Sequence, residues 1–403
     1  MPGETCSCAW LPQRTSKGPT SASCTATNAC RSGSPQGRRL YSGLVTTNVS
    51  ADRVPIPAQL SDLTAGWFSR ALDCHVSAVE VIDAHSGTTG RARVRLATGG
   101  AVPETLFVKL QPFTQDQREL IRQVGLGVAE ARVYANLGSE LPVRAPRVWH
   151  SAYQPADGAF VMVLEDLTAS GCRFPATGDE NILDVAHSTV EELAKLHAAY
   201  QDRELPWLRT AEGMRAKPDD PKVAARRSTF IKIALDKFGA ETPAVFRRLA
   251  ELYMERTVDV VTLFGQGEHT LIHGDSHIGN LFVDNGRTGF YDWAVASRGP
   301  GVRDFAYFMC NSVPTDLRRA HQDDLLSLYR RTLELYGRSV DDTTAREEYR
   351  LFSVYSWIAA TSTAAMGSKW QPVEIARPAM IRATESVEDP DAVGLLEERL
   401  GLR

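Results

Sequence analysis

Between Leu271 and Met309 the chain carries three polar side chains at spacings suited to handling a phosphoryl group. They are Asp275 within His273-Gly274-Asp275, Asn280 five residues later, and Asp292. Phosphoryl transfer asks a protein for little covalent chemistry and for much positioning and charge neutralisation. A carboxylate must meet the attacking hydroxyl, and oxygen ligands must hold Mg²⁺ against the phosphates. Asp275 has the side chain for the first task, Asn280 and Asp292 for the second. The apolar pair Leu271-Ile272 before this set, and Leu281-Phe282-Val283 after Asn280, place Asp275 and Asn280 on one short loop. Asp284-Asn285-Gly286-Arg287 is a tight-turn sequence between Leu281-Phe282-Val283 and Gly289-Phe290-Tyr291. It predicts a hairpin that returns Asp292 to the neighbourhood of Asn280.

The elements that must position these groups lie upstream. Leu60, Leu63, Trp67, Phe68 and Leu72 mark one face of an amphipathic helix opened by Ser61-Asp62. The period then changes, and Val76 to Ile82, Ala92 to Leu96 and Leu106 to Leu110 read as three strands of an antiparallel sheet. The turn between the first two, Ser86-Gly87-Thr88-Thr89-Gly90-Arg91, has backbone amides able to cover phosphates, or is an ordinary hairpin. Lys109 alternates with apolar neighbours on the third strand, where an unpaired ammonium would be costly, so it needs a carboxylate. Glu130, in the helical stretch Leu126 to Leu137, is the candidate; a snorkelling lysine and a solvated glutamate are the plainer alternative. Phe160 to Leu164 is a further strand. Ile182, Ala186, Val190, Leu193, His197 and Tyr200 recur at helical spacing, with His197 a core residue. Residues 202 to 225 form a charged connector holding Trp207 and Met214, with helices from about Ser228. Leu317 to Tyr336 and Glu347 to Met366 are two more helices, the second bearing a stripe of Tyr349, Phe352, Tyr355 and Ile358, with Trp357 on another face. That stripe is core, or lines a substrate cleft.

An Asp with an Asn five residues on, then a second Asp after a hairpin, resembles the arrangement of protein kinases. His-Gly-Asp stands here where His-Arg-Asp is usual, and Asp-Trp where Asp-Phe-Gly is usual. These departures resemble the aminoglycoside phosphotransferase and choline kinase superfamily, and RGPGVRDFAYFM (298–309) its ecdysteroid-kinase-like subgroup. The likeness covers roughly residues 55 to 380, and its landmarks Lys109, Glu130, Asp275 with Asn280, and Asp292 fall in the expected order.

The resemblance implies an α+β, two-lobed protein-kinase-like fold: a small antiparallel β-sheet lobe over residues 55–166 and a helical lobe over residues 167–403. It implies an ATP- and Mg²⁺-dependent phosphotransferase acting on a hydroxyl of a small molecule of aminoglycoside, choline or steroid type. Asp275 and Asn280 would be catalytic, Asn280 and Asp292 would hold the metal, and Gly87, Thr88, Lys109 and Glu130 would bind the nucleotide. Glu165 and Leu167 would read adenine through their backbone, with Leu164 as the gate; Asp304 would brace the catalytic loop. Two rivals stay open. One is a catalytically silent relative that binds a nucleotide or small ligand. The other is a metal hydrolase built on His273, His277 and Asp275.

Length and composition agree with this architecture. A chain of 403 residues suits two lobes and a tail, and a net charge of -4 lacks the basic excess of a nucleic-acid-binding surface. No apolar run approaches the roughly 20 residues that span a bilayer, and a cytoplasmic protein is expected. Of seven cysteines, Cys6, Cys8, Cys24 and Cys30 crowd the first thirty residues without a familiar zinc spacing, while Cys74, Cys172 and Cys310 read as reduced thiols. Residues 1–54 are rich in Ser, Thr, Gly, Pro and Arg, with no apolar period. They read as a disordered tail, a transit-like leader, or residues upstream of a true start near Val45. The acceptor is undecided. Asp323-Asp324 and Asp341-Asp342 would suit a polycation; Tyr355, Trp357 and Trp370 would suit a steroid-like molecule.

Overall fold

The structure is a computed structural model and describes residues 54–100, 102–210, 221–368 and 371–403. Residues 1–53 of the tail, Met214 and Trp370 lie outside the described residues.

The first helix begins one turn later than Ser61-Asp62 suggested. The Asp62 carboxylate accepts from the amides of Ala58 and Gln59 (2.9 and 3.1 Å), which closes a short 3₁₀ turn over Leu60–Asp62. Helix α1 (Ala65–Leu72) is instead capped by Thr64, whose hydroxyl accepts from the Trp67 amide at 3.2 Å.

Five strands follow: β1 (Val76–Ser86), β2 (Gly90–Thr98), β3 (Thr105–Leu110), β4 (Val148–Gln154) and β5 (Ala159–Glu165). They form one antiparallel sheet in the order β1-β2-β3-β5-β4. Helices α2 (Gln115–Val124) and α3 (Leu126–Leu137) connect β3 to β4. Strand alternation assigns the two faces. Ala92, Val94, Leu96, Leu106, Val108, Val161 and Val163 share a core with Trp67 and Phe68 of α1. Phe160, Met162 and Leu164 of β5 point the other way, into a core with Val128, Ala131 and Tyr134 of α3. The sheet is thus covered on both faces, which explains the unbroken apolar run at Phe160 to Leu164.

The rest of the chain is largely helical, with α4 (Ile182–Tyr200), α5 (Pro221–Phe238), α6 (Ala244–Glu255) and α7 (Thr257–Leu263). Helix α5 starts at Pro221, inside the stretch read as connector; proline at a first helical position gives up an amide that has no intrahelical partner there. Four short strands come next: β6 (His269–Ile272), β7 (Leu281–Asp284), β8 (Arg287–Phe290) and β9 (Ser297–Pro300), paired as β7 with β8 and β6 with β9. Helices α8 (Val302–Ser312), α9 (Thr315–Leu335), α10 (Asp342–Met366), α11 (Val373–Glu388) and α12 (Ala392–Arg399) complete the fold. Helix α10 is buried on more than one face. Tyr349 and Phe352 of the stripe are core, and so is Trp357, which packs edge-on against Phe246 and donates its indole N–H to Thr384 (3.2 Å). Only Tyr355 and Ile358 of the stripe remain half-buried.

Candidate active site

The hairpin β7–β8 forms as its turn sequence suggested, and the Tyr291 amide donates to the Asn280 carbonyl (3.1 Å), bringing Asp292 back beside Asn280. Asp275 and Asn280 share the preceding loop. The Asn280 side-chain amide donates to the Asp275 main-chain carbonyl (2.8 Å) and to its carboxylate (3.0 Å). Both N–H groups are therefore spent on Asp275, and the amide oxygen is the atom left to bind anything else. His277 Nε2 lies 3.6 Å from the Asp275 carboxylate, and its Nδ1 accepts from the Gly279 amide (3.0 Å).

The loop is braced from below by Asp304, fully buried at the start of α8. Its carboxylate accepts from the amides of His273 (2.6 Å) and Gly274 (2.8 Å) and from His197 Nε2 (3.4 Å). His197 Nδ1 in turn shares a hydrogen bond with the Tyr329 hydroxyl (2.8 Å). Burial works to raise the Asp304 carboxyl, but the His197 hydrogen bond and the Gly274 amide outweigh it and hold it below the ordinary value. His197 is more than a satisfied core residue. Gly274 has a φ of 83°, and a Cβ there would lie 2.5 Å from the Val295 carbonyl oxygen, so no other residue fits without displacing backbone. His273 donates from Nε2 to the Tyr291 carbonyl (3.0 Å) and accepts at Nδ1 from the Asp275 amide (3.3 Å). Burial lowers its pKa, in keeping with a neutral ring. With both nitrogens engaged, His273 has no lone pair for a metal; among the described residues no group of three or more His, Cys, Asp or Glu side chains is placed to hold one.

The second half of the site is built on the sheet. Lys109 Nζ lies 2.6 Å from Glu130 and 3.4 Å from Asp292, so the lysine on β3, the glutamate on α3 and the aspartate after β8 meet at one ammonium. Burial pushes the Glu130 carboxyl up to about 7 against the pull of Lys109. Burial also acts to raise Asp292, but there Lys109 and Arg91 win and hold the carboxyl below its ordinary value. Asp292 has a φ of 63°, a left-handed conformation uncommon for a residue with a Cβ. Its oxygens and the free oxygen of Asn280 are hard donors, the kind that Mg²⁺ takes while completing its shell with water and phosphate.

These groups open onto a cleft of about 530 Å³, lined by Arg91, Phe107, Lys109, Glu130, Leu164, Leu167, Phe174 and Asp292 among others. The strip Glu165 to Leu167 forms its edge. The Glu165 carboxylate is spent on Arg144, in a two-pronged pair at 2.7 and 2.9 Å, and the Glu165 amide donates to the Arg147 carbonyl (2.8 Å). Arg144 also reaches Asp284 (2.8 Å), tying this strip to the β7–β8 hairpin. Asp166 accepts from the amides of Thr168 and Ala169 (3.1 and 3.2 Å) and from Arg93 (3.0 Å). Gly87 and Thr88 occupy the tip of the β1–β2 turn, where the Gly87 amide donates to the Thr89 carbonyl (3.0 Å); the cleft wall on that side is Arg91.

Residues 83–340, well over half of the chain, match the ecdysteroid kinase-like family. The chain belongs to that family. Its fold is the two-lobed, kinase-like one, as the choline kinase of Cryptosporidium parvum illustrates: TM-score 0.50 at 12% identity, over 80% of this chain and 93% of that one. Similar too is a putative aminoglycoside phosphotransferase from Ralstonia eutropha, with TM-score 0.49, 14% identity, and coverage of 81% and 97%. A search of curated proteins finds no sequence match.

On the far side of Asp275 this ecdysteroid kinase-like chain presents α8. Tyr307 lies against the Asp275 carboxylate, and burial, then the charge of Asp275, pushes its hydroxyl well above the ordinary value, so it stays a proton donor. Arg303, one turn earlier, stacks on Tyr355 at 3.9 Å and donates to the Tyr355 hydroxyl (2.6 Å). Three of the four acidic residues considered for a polycation are engaged elsewhere. Asp323 and Asp342 pair with Arg346 (2.7 Å each) and Asp341 caps α10 through the Thr344 amide (3.0 Å), all on the exposed surface. Ser297, the one hydroxyl between Trp293 and Arg303, is fully buried on β9. No described helix is long and apolar enough to cross a membrane.

Arg91, Tyr134, Phe174 and Tyr291 were not singled out from the sequence as cleft residues. Alternation with the buried Ala92 and Val94 put Arg91 on the opposite face of β2, but only its pairing with Lys109 shows that this face is the cleft; the aromatics had no signal.

Proposed function

We propose that this chain is an ATP- and Mg²⁺-dependent small-molecule kinase that phosphorylates a hydroxyl. In this reading residues 55–166 hold the nucleotide and residues 167–403 carry the catalytic loop and the acceptor. The observation that carries it is how Asn280 is spent: two N–H groups on Asp275, one oxygen left over, and Asp292 next to its backbone partner Tyr291. A base and a metal ligand are thus locked in one unit, across the cleft from the Lys109–Glu130 pair.

Asp275 receives the proton of the acceptor hydroxyl as its oxygen attacks the terminal phosphorus and the bond to the bridging oxygen breaks. Asn280 fixes the carboxylate for that attack, and Tyr307 orients it from the acceptor side. Lys109, held by Glu130, steadies the phosphates nearer the base, while the backbone of Glu165 and Leu167 faces adenine. A bound Mg²⁺, held by Asn280 and Asp292, would neutralise the charge that develops on the phosphates. The acceptor enters between the catalytic loop and α8, where Tyr307, Arg303 and Tyr355 supply an aromatic wall with a cation. That lining favours a neutral hydroxylated molecule over an aminoglycoside or choline. The buried Ser297 and the short span from Trp293 to Arg303 leave neither a platform for a peptide nor a switch by phosphorylation.

The test is a screen of hydroxylated metabolites and antibiotics for ATP-dependent gain of one phosphate. Asp275→Asn is expected to lower turnover about 10²- to 10⁴-fold with nucleotide affinity nearly unchanged. Asp292→Ala is expected to remove the Mg²⁺-dependent part of ATP binding. Full turnover by Asp275→Asn on an identified acceptor would overturn the assignment.

A further inference from the structure

Strand β2 carries three arginines on one face, Arg91, Arg93 and Arg95, and they are committed differently. Arg95 pairs with Glu80 and, at 3.3 Å, with Glu104. Arg93 donates from Nε and Nη2 to Asp166 (3.1 and 3.0 Å), at the edge of the cleft. Among the described residues Arg91, largely buried, donates only to the Thr89 hydroxyl (3.2 Å) and stands 3.9 Å from Asp292, beyond hydrogen-bonding reach of it. Yet in the β2–β3 register Arg91 lies directly opposite Lys109, so both cations face the same side, into the cleft.

Charge counting shows what this second cation answers to. With both carboxyls ionised, Lys109 and Arg91 balance Glu130 and Asp292, and without Arg91 this set would carry one negative charge in excess. A triphosphate brings about four negative charges, of which one divalent cation removes two. Lys109 is already bound to Glu130. Arg91 has donors to spare in the planar fork that suits phosphate oxygens.

We propose that Arg91 is a second triphosphate-binding cation, which stands beside Asp292 and turns its guanidinium to the nucleotide's outer phosphates when they arrive. It would add a side chain to the backbone amides expected of the Gly87-Thr88 turn. This inference rests on the nucleotide reading of the cleft.

The test is binding, not turnover. ATP, ADP and adenosine are titrated by calorimetry and by displacement of a fluorescent ATP analogue, with and without Mg²⁺, on the full chain, Arg91→Ala and Arg91→Lys. Arg91→Ala is expected to weaken ATP about 10- to 100-fold, ADP less, and adenosine less than twofold, the losses that charge-assisted hydrogen bonds to phosphate imply. The ATP loss should persist without Mg²⁺, and Arg91→Lys should recover part of it. Equal proportional losses for all three ligands would mark Arg91 as a structural residue and overturn the proposal, as would ATP binding by Arg91→Ala within twofold of the parent. If the parent chain bound none of the three, the nucleotide reading itself would fall, and the role of Arg91 with it.

Discussion

Asp292 and Asp304 stand twelve residues apart, on either side of the short β9 segment, and both carboxyls are held below their ordinary value. The means differ. Asp304 is fully buried and accepts hydrogen bonds from two backbone amides and a histidine, which together keep it from a ligand. Asp292 is held by two cations at 3.4 and 3.9 Å, looser contacts that a metal and phosphates are able to replace. A buried carboxylate whose partners are chiefly backbone amides belongs to the scaffold, whereas one whose partners are side-chain cations lining a cleft can exchange them for a ligand.

The sharpest way to break this comparison is to neutralise each in turn. Asp304→Asn places an amide N–H₂ against the His273 and Gly274 amides and orphans at least one buried donor. A loss of roughly 3–5 kcal/mol in unfolding free energy is expected. Asp292→Asn removes a carboxylate from two cations beside solvent, and is expected to cost about 1 kcal/mol or less while abolishing Mg²⁺-dependent ATP binding. The acid limb adds a second reading. A carboxyl with a lowered folded pKa stabilises the fold above its unfolded value, and that contribution is lost as pH falls through the folded one. The Asp304→Asn variant should therefore lose part of the acid sensitivity of the parent. Chemical unfolding curves in which the two variants are equally destabilised would dissolve the distinction.

A step down in size is Gly274→Ala, which tests whether the brace depends on the backbone as well as on Asp304. The added Cβ meets the Val295 carbonyl oxygen at 2.5 Å, and alanine resists the φ of 83°. Roughly 2–4 kcal/mol is expected from strain and displacement together. A thermal melt unchanged from the parent would show that the loop yields freely and that the brace is not rigid.

How much of this was legible before the fold was in hand follows from the physics of each residue. The β7–β8 hairpin was, because its turn chemistry is local, and Lys109 with Glu130 was, because a lysine on a buried strand must find a carboxylate. The role of Asp304 came only from family resemblance, since nothing local announces which amides a helix-start carboxylate will meet. Arg91 was passed over because an alternating Arg-Ala-Arg-Val-Arg strand reads as polar face outward. Here that face looks into the cleft, and only the pairing of β2 with β3 reveals it. The start of α1 slipped by a turn because Asp62 and Thr64 are both good caps, and Asp62 was taken by the amides behind it. The acidic pairs at Asp323 and Asp341 looked like a cation site only while their arginine partners, on neighbouring turns and helices, were unknown.

A smaller effect than at Asp304 or Gly274 lies at Glu130, a third buried carboxylate, and it has the opposite sign. Burial pushes this carboxyl up to about 7 despite Lys109, so at intermediate pH the folded chain holds a proton that the unfolded chain has released. Stability from this group is complete below the ordinary glutamate value of 4.5 and declines as pH rises through about 7. Glu130→Gln cannot titrate and should lack that slope, and relative to it the parent should lose on the order of 2 kcal/mol between pH 5 and 7. Denaturant unfolding of both proteins across that range measures it. The same titration forms the Lys109–Glu130 ion pair, so the lysine is best held above pH 7, where the glutamate is costliest to keep. That cost sets Glu130 apart from the other two: Asp292 and Asp304 lose stability with acid, and Glu130 with alkali. If parent and Glu130→Gln showed parallel pH profiles, the buried pair at Lys109 would belong with the scaffold, and the line between the two regions would have to be redrawn at Asp292 alone.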